Sequence, residues 1–379
     1  MDTILITLSF AMIAGLLMSR LAKLVNLPAV TAYLVAGLLI GPYFLGRIGI
    51  EGLGFNTLEA VNSFDIISQT ALGFIAFAIG NEFRLKDLES MGRAAITVGI
   101  LQAVITTVVV DIALCTLHFL APSVLSLSSA ITLGAIAAAT APAATLMVVR
   151  QYKAEGPLTK LLLMVVAIDD AVGLVLFSVS FGIASALETG TASIITILVE
   201  PLLEIGLSFV LGGLAGWILN KLERFFHSRS KRLALAVAFV FFLVGFSDKE
   251  FNIAGVMTLR FSLLLVCMIT GTVFCNICET SLELMDRVER WTAPLNMLFF
   301  VLSGAELNLS ILLNPTVILI GVIFILFRSI GKISVHTSRA AWSIQARIYR
   351  STSESHSFRR RVWHWEWHLL PLPSPTAPS

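Results

Sequence analysis

The chain has 379 residues, of which 57% are hydrophobic and 13% are charged, and its mean hydropathy is +0.90. Soluble domains carry about 25% charged residues, so this composition excludes a soluble globular protein and indicates a multi-pass membrane protein. The formal net charge of +2 does not indicate a nucleic-acid partner, because the basic residues lie mostly in short loops between apolar segments.

Apolar segments long enough to cross a bilayer recur along most of the chain. A helix needs about 20 predominantly apolar residues to span the hydrocarbon core. This criterion predicts about eleven spans, centred near residues 10, 36, 72, 106, 138, 172, 207, 239, 264, 300 and 322. Lysine and arginine are concentrated in the loops that follow the odd-numbered spans. Because cytoplasmic loops carry the excess of basic residues, the pattern predicts an N-terminus outside the cell.

Helix-breaking residues interrupt two of the predicted spans. The second span ends at Gly41-Pro42, and the fifth carries Thr140-Ala141-Pro142 near its middle. Pro142 has no backbone N–H and disfavours helical backbone in the residue before it. One interpretation is a simple proline kink. The other is a broken helix whose free backbone groups line an ion site, as transporters use them. The acidic pair one hairpin later favours the second interpretation.

Two adjacent carboxylates, Asp169 and Asp170, lie inside an apolar segment that runs from about Leu161 to Ala184. A charged side chain at the bilayer centre costs roughly 2.5–3.5 kcal/mol on insertion scales. Each carboxylate also raises the proton affinity of its neighbour. Such a pair is suited to binding protons or a small cation and to exchanging one for the other. The alternative is a buried aspartate that only hydrogen-bonds a neighbouring helix.

The order of six motifs resembles the bacterial monovalent cation:proton antiporters, the branch that contains Na+/H+ exchangers and Kef-type K+/H+ proteins. The motifs are TAYLVAGLLIGP, GFIAFAIGNEF, TAPAAT, VVAIDDAVGLVLF, FFVLSGAEL and RSIGK. The resemblance covers residues 1 to about 332 and implies an all-α membrane fold with inverted repeats and two crossing broken helices. It also implies a homodimer in the plasma (inner) membrane, with no cofactor. Members have thirteen spans, so about eleven of the expected thirteen are present.

The resemblance assigns roles to single residues. Asp170 matches the family's ion- and proton-binding aspartate, and Asp169 matches its neighbour. Thr140, Ala141 and Pro142 match the first broken helix, with the Thr140 hydroxyl as an ion ligand. In this family two acids at these positions go with electrogenic exchange, whereas an asparagine in the first place goes with electroneutral exchange.

A basic partner for the acids is expected near the end of the last span. Lys332 resembles the lysine that pairs with the first acid when no cation is bound, and Arg328 is the second candidate for that role. Position alone supports another interpretation of Lys332, as a cytoplasmic anchor at the end of a span.

The activity implied is exchange of a monovalent cation, Na+ more readily than K+, for protons by alternating access. The expected partners are therefore Na+ or K+, H+ and membrane lipid, and the chain is expected to be a transporter rather than an enzyme. The alternative is a Kef-like K+ efflux protein without its cytosolic domain, since residues 333–379 carry no GxGxxG motif. A membrane-embedded hydrolase would carry its aspartates on two different helices.

The sequence changes character after Lys332. We predict a membrane domain over residues 1–332, incomplete at its C-terminal end, and a basic, tryptophan- and proline-rich tail over residues 333–379. Such a tail is expected to be disordered. One interpretation is that it lies on anionic lipid.

A second hypothesis for the tail is a reading-frame shift just after Lys332. In the shifted frame, each new codon consists of the third base of one codon and the first two bases of the next. With free choice of codons, residues 350–370 then permit the string KYLGIPLIPQAGVALGMALT. This apolar, glycine-bearing string resembles the family's penultimate region, including its second broken helix. A chain without that helix is expected to transport little or not at all.

Overall fold

The computed structural model describes most of the membrane domain. The described residues are 2–24, 27–49, 54–81, 83–140, 145, 148–149, 151–189, 200–249, 251–253, 257–259 and 261–337. Their helices are α1 (Asp2–Leu24), α2 (Ala29–Ile40), α3 (Leu58–Asn62), α4 (Asp65–Asn81), α5 (Leu85–Leu120), α6 (Leu127–Ala138), α7 (Pro157–Thr189), α8 (Glu200–Glu223), α9 (Arg229–Ser247), α10 (Leu263–Ile277), α11 (Ser281–Ala305) and α12 (Pro315–Thr337).

Helices occupy all eleven predicted span centres, which confirms the all-α membrane fold. Six of the described segments are long and apolar enough to cross a membrane by length and composition. The segments are Ile4–Leu24, Ala29–Ile48, Ala95–Leu120, Leu203–Glu223, Arg229–Ser247 and Pro315–Ser334. Shorter apolar helices include α6 and α10. The exact number of spans, and the expectation of thirteen in the complete fold, stay predictions.

Local sequence explains where several helices begin and end. α2 begins directly after Pro28, where the missing N–H costs no intrahelical bond, and it ends before Gly41-Pro42. The Ser126 hydroxyl accepts a hydrogen bond from the Ser129 N–H and so caps the start of α6. Ser262 caps α10 in the same way through the Leu265 N–H.

Seven helices pack into a bundle that we call the scaffold bundle: α1, α2, α4, α8, α9, α10 and α11. Its largest cluster of buried residues joins α4, α8, α9, α10 and α11 and includes Phe74, Phe77 and Phe274. Glycine permits the closest crossing. A Cβ on Gly80 of α4 would overlap the Met268 carbonyl oxygen of α10. Small residues let membrane helices approach closely, which strengthens van der Waals packing between them.

Four other helices, α5, α6, α7 and α12, form a second group, which we call the site bundle. α5 contacts both α6 and α7, and α6 contacts α7. α12 joins through Ile320, Ile323 and Phe324, which pack on buried residues of α5 and α6. A Cβ on Gly99 of α5 would lie 2.8 Å from the Ile168 side chain of α7, so these two helices also cross closely.

A short β-hairpin interrupts the helical pattern. Strands β1 (Phe251–Ile253) and β2 (Met257–Leu259) pair as a short antiparallel hairpin in the connection before α10. Residues 1–332 form one compact unit. Of the predicted tail only residues 333–337 are described, as the last turn and a half of α12, so the division of the chain at 333 stays a prediction.

Candidate functional site

The site begins where α6 ends, in the middle of the fifth predicted span. Ala139 leaves the helix with extended backbone (φ −61°, ψ 139°), and Thr140 follows it. Ala141 and Pro142 lie outside the described residues. A helix that ends leaves its last carbonyl groups without intrahelical partners. At membrane depth these carbonyls need other donors.

Lys332 of α12 supplies one of those donors and places a charge at the helix end. Its Nζ donates to the Ala138 carbonyl oxygen at 2.7 Å, to Thr140 Oγ1 at 2.7 Å and to Asp169 Oδ2 at 2.6 Å. An ammonium group has three N–H donors, so all three are used. The Lys332 side chain is 18% exposed and that of Asp169 is fully buried, which makes this a largely desolvated ion pair.

Arg328 lies one helical turn before Lys332 and binds the same end of α6. Its Nε donates to the Ala137 carbonyl oxygen at 3.1 Å, and its Nη2 donates to the Ala139 carbonyl oxygen at 2.8 Å. The carbonyl end of a helix carries a partial negative charge, which favours nearby cations. Arg328 therefore caps α6, while Lys332 both caps it and pairs with the acid.

Among the described residues, Asp169 of α7 is held through one of its two carboxylate oxygens. Its Oδ2 accepts hydrogen bonds from the Thr140 hydroxyl and from Lys332. Its Oδ1 is buried and has no hydrogen-bond partner among the described residues. The side chain of Asp170 lies outside the described residues, although its backbone continues α7.

The fold thus brings four of the predicted site residues together from three helices or helix ends. Thr140, Asp169, Arg328 and Lys332 converge although 163 residues separate Asp169 from Lys332. The structure gives no side-chain position for Asp170, Ala141 or Pro142.

The sequence predicted free backbone groups at the broken helix but not which carbonyls they are. The carbonyl oxygens of Ala137, Ala138 and Ala139 accept three of the hydrogen bonds from the two basic side chains. Alanine carries no chemical signal in its side chain. The only signal in the sequence was the helix break expected at Thr140-Ala141-Pro142, which implies that carbonyls just before it are free.

A second polar cluster lies at the ends of α8 and α10, away from the acids. Buried Glu223 accepts hydrogen bonds from the Thr280 hydroxyl at 2.6 Å and the Cys278 thiol at 3.2 Å, and it pairs with Arg232 at 3.3 Å. Burial raises the pKa of the Cys278 thiol. Among the described residues no group of three or more His, Cys, Asp or Glu side chains is arranged to hold a metal ion. The cluster ties two helix ends together.

Comparison with known proteins identifies relatives of the whole fold. The family model described as sodium/hydrogen exchanger, transmembrane, matches residues 8–351. The structure of the sodium proton antiporter MjNhaP1 from Methanocaldococcus jannaschii at pH 8 superposes with a TM-score of 0.68 at 21% identity, covering 90% of this chain and 80% of that chain.

An electron-microscopy map of the same antiporter gives a TM-score of 0.64 at 18% identity, covering 92% of this chain and 86% of that chain. Among curated proteins, none matches the chain by sequence. These likenesses confirm the predicted antiporter fold. The family match extends past Lys332 to residue 351.

Proposed function

The chain belongs to the sodium/hydrogen exchanger family, as expected from its motifs, and on that basis we propose that it exchanges Na+ for protons at a site formed by Asp169, Asp170 and Thr140. Family membership makes it a multi-pass membrane transporter of the cation:proton antiport class and not an enzyme. The preference for Na+ over K+ rests on the family and on the sodium proton antiporter that the fold resembles.

One observation carries the proposal: an ammonium group occupies a pocket of oxygen atoms. The Lys332 ammonium touches a helix-end carbonyl of Ala138, the Thr140 hydroxyl and the Asp169 carboxylate, all within 2.7 Å. Broken-helix carbonyls and a carboxylate are the groups with which membrane transporters bind Na+. A monovalent cation that replaces the ammonium would find the same oxygens and the same charge balance.

The exchange follows from competition for these acids. Without a bound cation, Lys332 neutralises Asp169, and Asp170 is free to hold a proton, because two adjacent ionised carboxylates repel each other. A cation that binds both carboxylates favours their ionised forms and releases the proton. Lys332 must withdraw at the same step, since its ammonium and the cation use the same oxygens. Alternating access then moves the loaded site across the membrane barrier.

Several parts of the assembly are proposed with the function. The homodimer, the plasma (inner) membrane and the external N-terminus are supported by the family and by the alternating basic loops. α1 presents a largely apolar surface, on which the Leu5, Leu16 and Leu17 side chains are more than half exposed. That surface is available to lipid or to a second copy.

The predicted tail limits what this polypeptide does. If residues 333–379 replace the second broken helix, the site lacks that helix's carbonyls and dipole end, and we propose that transport is weak or absent. Sequencing the gene tests the frame-shift hypothesis. An uninterrupted frame that cannot encode the string KYLGIPLIPQAGVALGMALT in the alternative frame would rule it out.

The function is tested by proton flux in vesicles that contain the chain as given or the chain with the frame restored. We expect NaCl to drive proton movement in the frame-restored chain, Asp170→Asn to abolish it, and Asp248→Asn, a change at an exposed loop residue, to leave it intact. KCl and LiCl in parallel vesicles separate Na+ exchange from Kef-like K+ efflux. Exchange that persists at the normal rate in Asp170→Asn contradicts the assignment.

A further inference from the structure

α5 carries an unusual set of buried polar side chains. The side-chain oxygens of Gln102, Thr106 and Thr107 and the Oδ1 of Asp111 are buried, and none has a hydrogen-bond partner in the described part of the chain. Gln102 is 7% exposed and Thr106 is fully buried. An unsatisfied polar group in a water-free interior costs roughly 1–3 kcal/mol. Four such side chains on one helix therefore need an explanation other than packing.

Helical geometry places Gly99, Gln102 and Thr106 on one face of α5. Residues three and seven positions apart lie within about one quarter of a helical turn of each other. The two ends of this face are fixed by close contacts. Gly99 lies against Ile168 of α7, and Thr106 lies against Gly331 of α12, where a glycine Cβ would be 3.2 Å from Thr106 Oγ1.

These contacts bring the α5 face next to the ion pair. Ile168 directly precedes Asp169, and Gly331 directly precedes Lys332. This face of α5 therefore contacts the residue before the acid, through Gly99, and the residue before the base, through Thr106. Asp169 Oδ1, the carboxylate oxygen that neither Lys332 nor Thr140 contacts, has no partner among the described residues. A carboxylate oxygen accepts up to two hydrogen bonds.

Thr107 and Asp111 lie on a different face of the same helix. Asp111 packs on Gly134 of α6, where a Cβ would overlap its carboxylate. Thr107 is rotated by about 100° from Thr106, because each helical residue turns by that angle. It is 5% exposed, so it matches Thr106 in residue type and burial but not in direction.

We infer that Gln102 and Thr106 belong to the cation site, contributing neutral oxygens that hold the bound cation's water near Asp169. The inference rests on the proposed function and adds α5 to the three elements that form the site. In the state with Lys332 on Asp169, the two oxygens are buried without partners among the described residues. A hydrated cation supplies those partners, and this raises its affinity.

The test measures Na+-dependent thermal stabilisation of the purified full chain, as given and with its frame restored, with Gln102→Met, Thr106→Val and the matched control Thr107→Val. Loss of one such hydrogen bond should weaken apparent Na+ affinity about three- to tenfold in Gln102→Met and in Thr106→Val. Thr107→Val should bind Na+ within about twofold of wild type. The unliganded melting temperature of Thr106→Val should equal or exceed that of wild type, because a buried unpartnered hydroxyl is removed.

The outcomes separate this inference from the proposed function. If Na+ stabilises the wild type, Asp169→Asn abolishes the effect, and Gln102→Met and Thr106→Val bind normally, only the α5 assignment is overturned. It is also overturned if Thr107→Val weakens binding as much as Thr106→Val, since the effect is then general to α5 packing. A frame-restored chain with no Na+ dependence contradicts both the assignment and the proposed function.

Discussion

The scaffold bundle and the site bundle differ in the kinds of side chain that they bury. Both bury helices in a membrane, yet five of the eight buried side-chain oxygens that lack a partner in the described part of the chain lie on α5 or α7. The scaffold bundle instead buries phenylalanine and leucine side chains around the contact between α4 and α10. The scaffold bundle buries mostly apolar side chains, whereas the site bundle buries more of the unsatisfied polar groups, and these lower its stability.

The difference indicates what each bundle does. Lipid tails are as apolar as leucine, so membrane helices associate through close packing and hydrogen bonds. Glycine at a helix crossing, such as Gly80 against Met268, allows the close packing that a rigid scaffold needs. A cation site needs oxygens that change partners, and an unsatisfied group such as Asp169 Oδ1 can be used in binding.

The largest effect on stability is expected from Lys332→Ala. The change leaves the fully buried Asp169 without its counter-charge, and breaking such a pair costs about 3–5 kcal/mol. Unfolding in mixed SDS–detergent micelles measures the loss. Adding Asp169→Asn to Lys332→Ala should recover most of it, whereas Lys249→Ala, in an exposed loop, should be neutral. Equal stabilities for the single and double variants would contradict the ion pair.

Gly80→Ala tests the packing of the scaffold bundle. Its Cβ would overlap the Met268 carbonyl oxygen, so α4 and α10 must separate, at a cost of about 1–3 kcal/mol. Gly213→Ala on α8 is the control, because nothing lies within 4 Å of its Cβ position. The same unfolding assay should show a loss of stability in Gly80→Ala only, and the Na+ affinity should change in neither variant. A shift in Na+ affinity in Gly80→Ala would remove the distinction between the bundles.

Arg328→Ala probes the end of α6. It removes two hydrogen bonds to the Ala137 and Ala139 carbonyls and a cation at a helix C-terminus, so we expect a loss of about 1–2 kcal/mol. Ser329→Ala, at the next position and exposed, should change little. Unlike Lys332→Ala, the Arg328 variant should gain nothing from Asp169→Asn. Strong coupling between Arg328 and Asp169 would make Arg328, not Lys332, the partner of the acid.

The smallest effect is expected at the surface of the scaffold bundle. Arg290 pairs with Asp286 at 2.7 Å, but both side chains are mostly exposed. Exposed pairs four residues apart on a helix contribute about 0.3–0.5 kcal/mol. Arg290→Ala should therefore change the unfolding free energy by no more than about 0.5 kcal/mol. A loss comparable to that of Lys332→Ala would show that burial is not what makes the site pair strong.

Most of the fold was predictable because hydrophobic length is a strong signal. Even α4, with 17 residues, and α10, with 15, were found as apolar segments. The hairpin of β1 and β2 was not predicted, because three-residue strands leave no detectable alternation. The end of α6 was predicted only as one of two alternatives, since proline at 142 is compatible with a kink or a break.

The site was only partly predictable. Asp169 and Asp170 stand out because carboxylates are costly in lipid. From its position alone, Lys332 could be either a cytoplasmic anchor or the partner of the acid. Its contact with Asp169 spans 163 residues, so local sequence patterns cannot predict it. Gln102 and Thr106 were missed because neutral polar residues are common in membrane helices. Their spacing of four on one face of α5 is the signal that could have found them.

Proton release on Na+ addition tests the central claim most directly. Purified frame-restored protein is titrated with NaCl in weakly buffered detergent solution that contains a pH indicator. Competition at Asp169 and Asp170 predicts that the wild type releases protons as Na+ binds and that Asp170→Asn releases none. Na+ binding without proton release, or equal release from wild type and from the Asp169→Asn, Asp170→Asn double variant, would contradict the account.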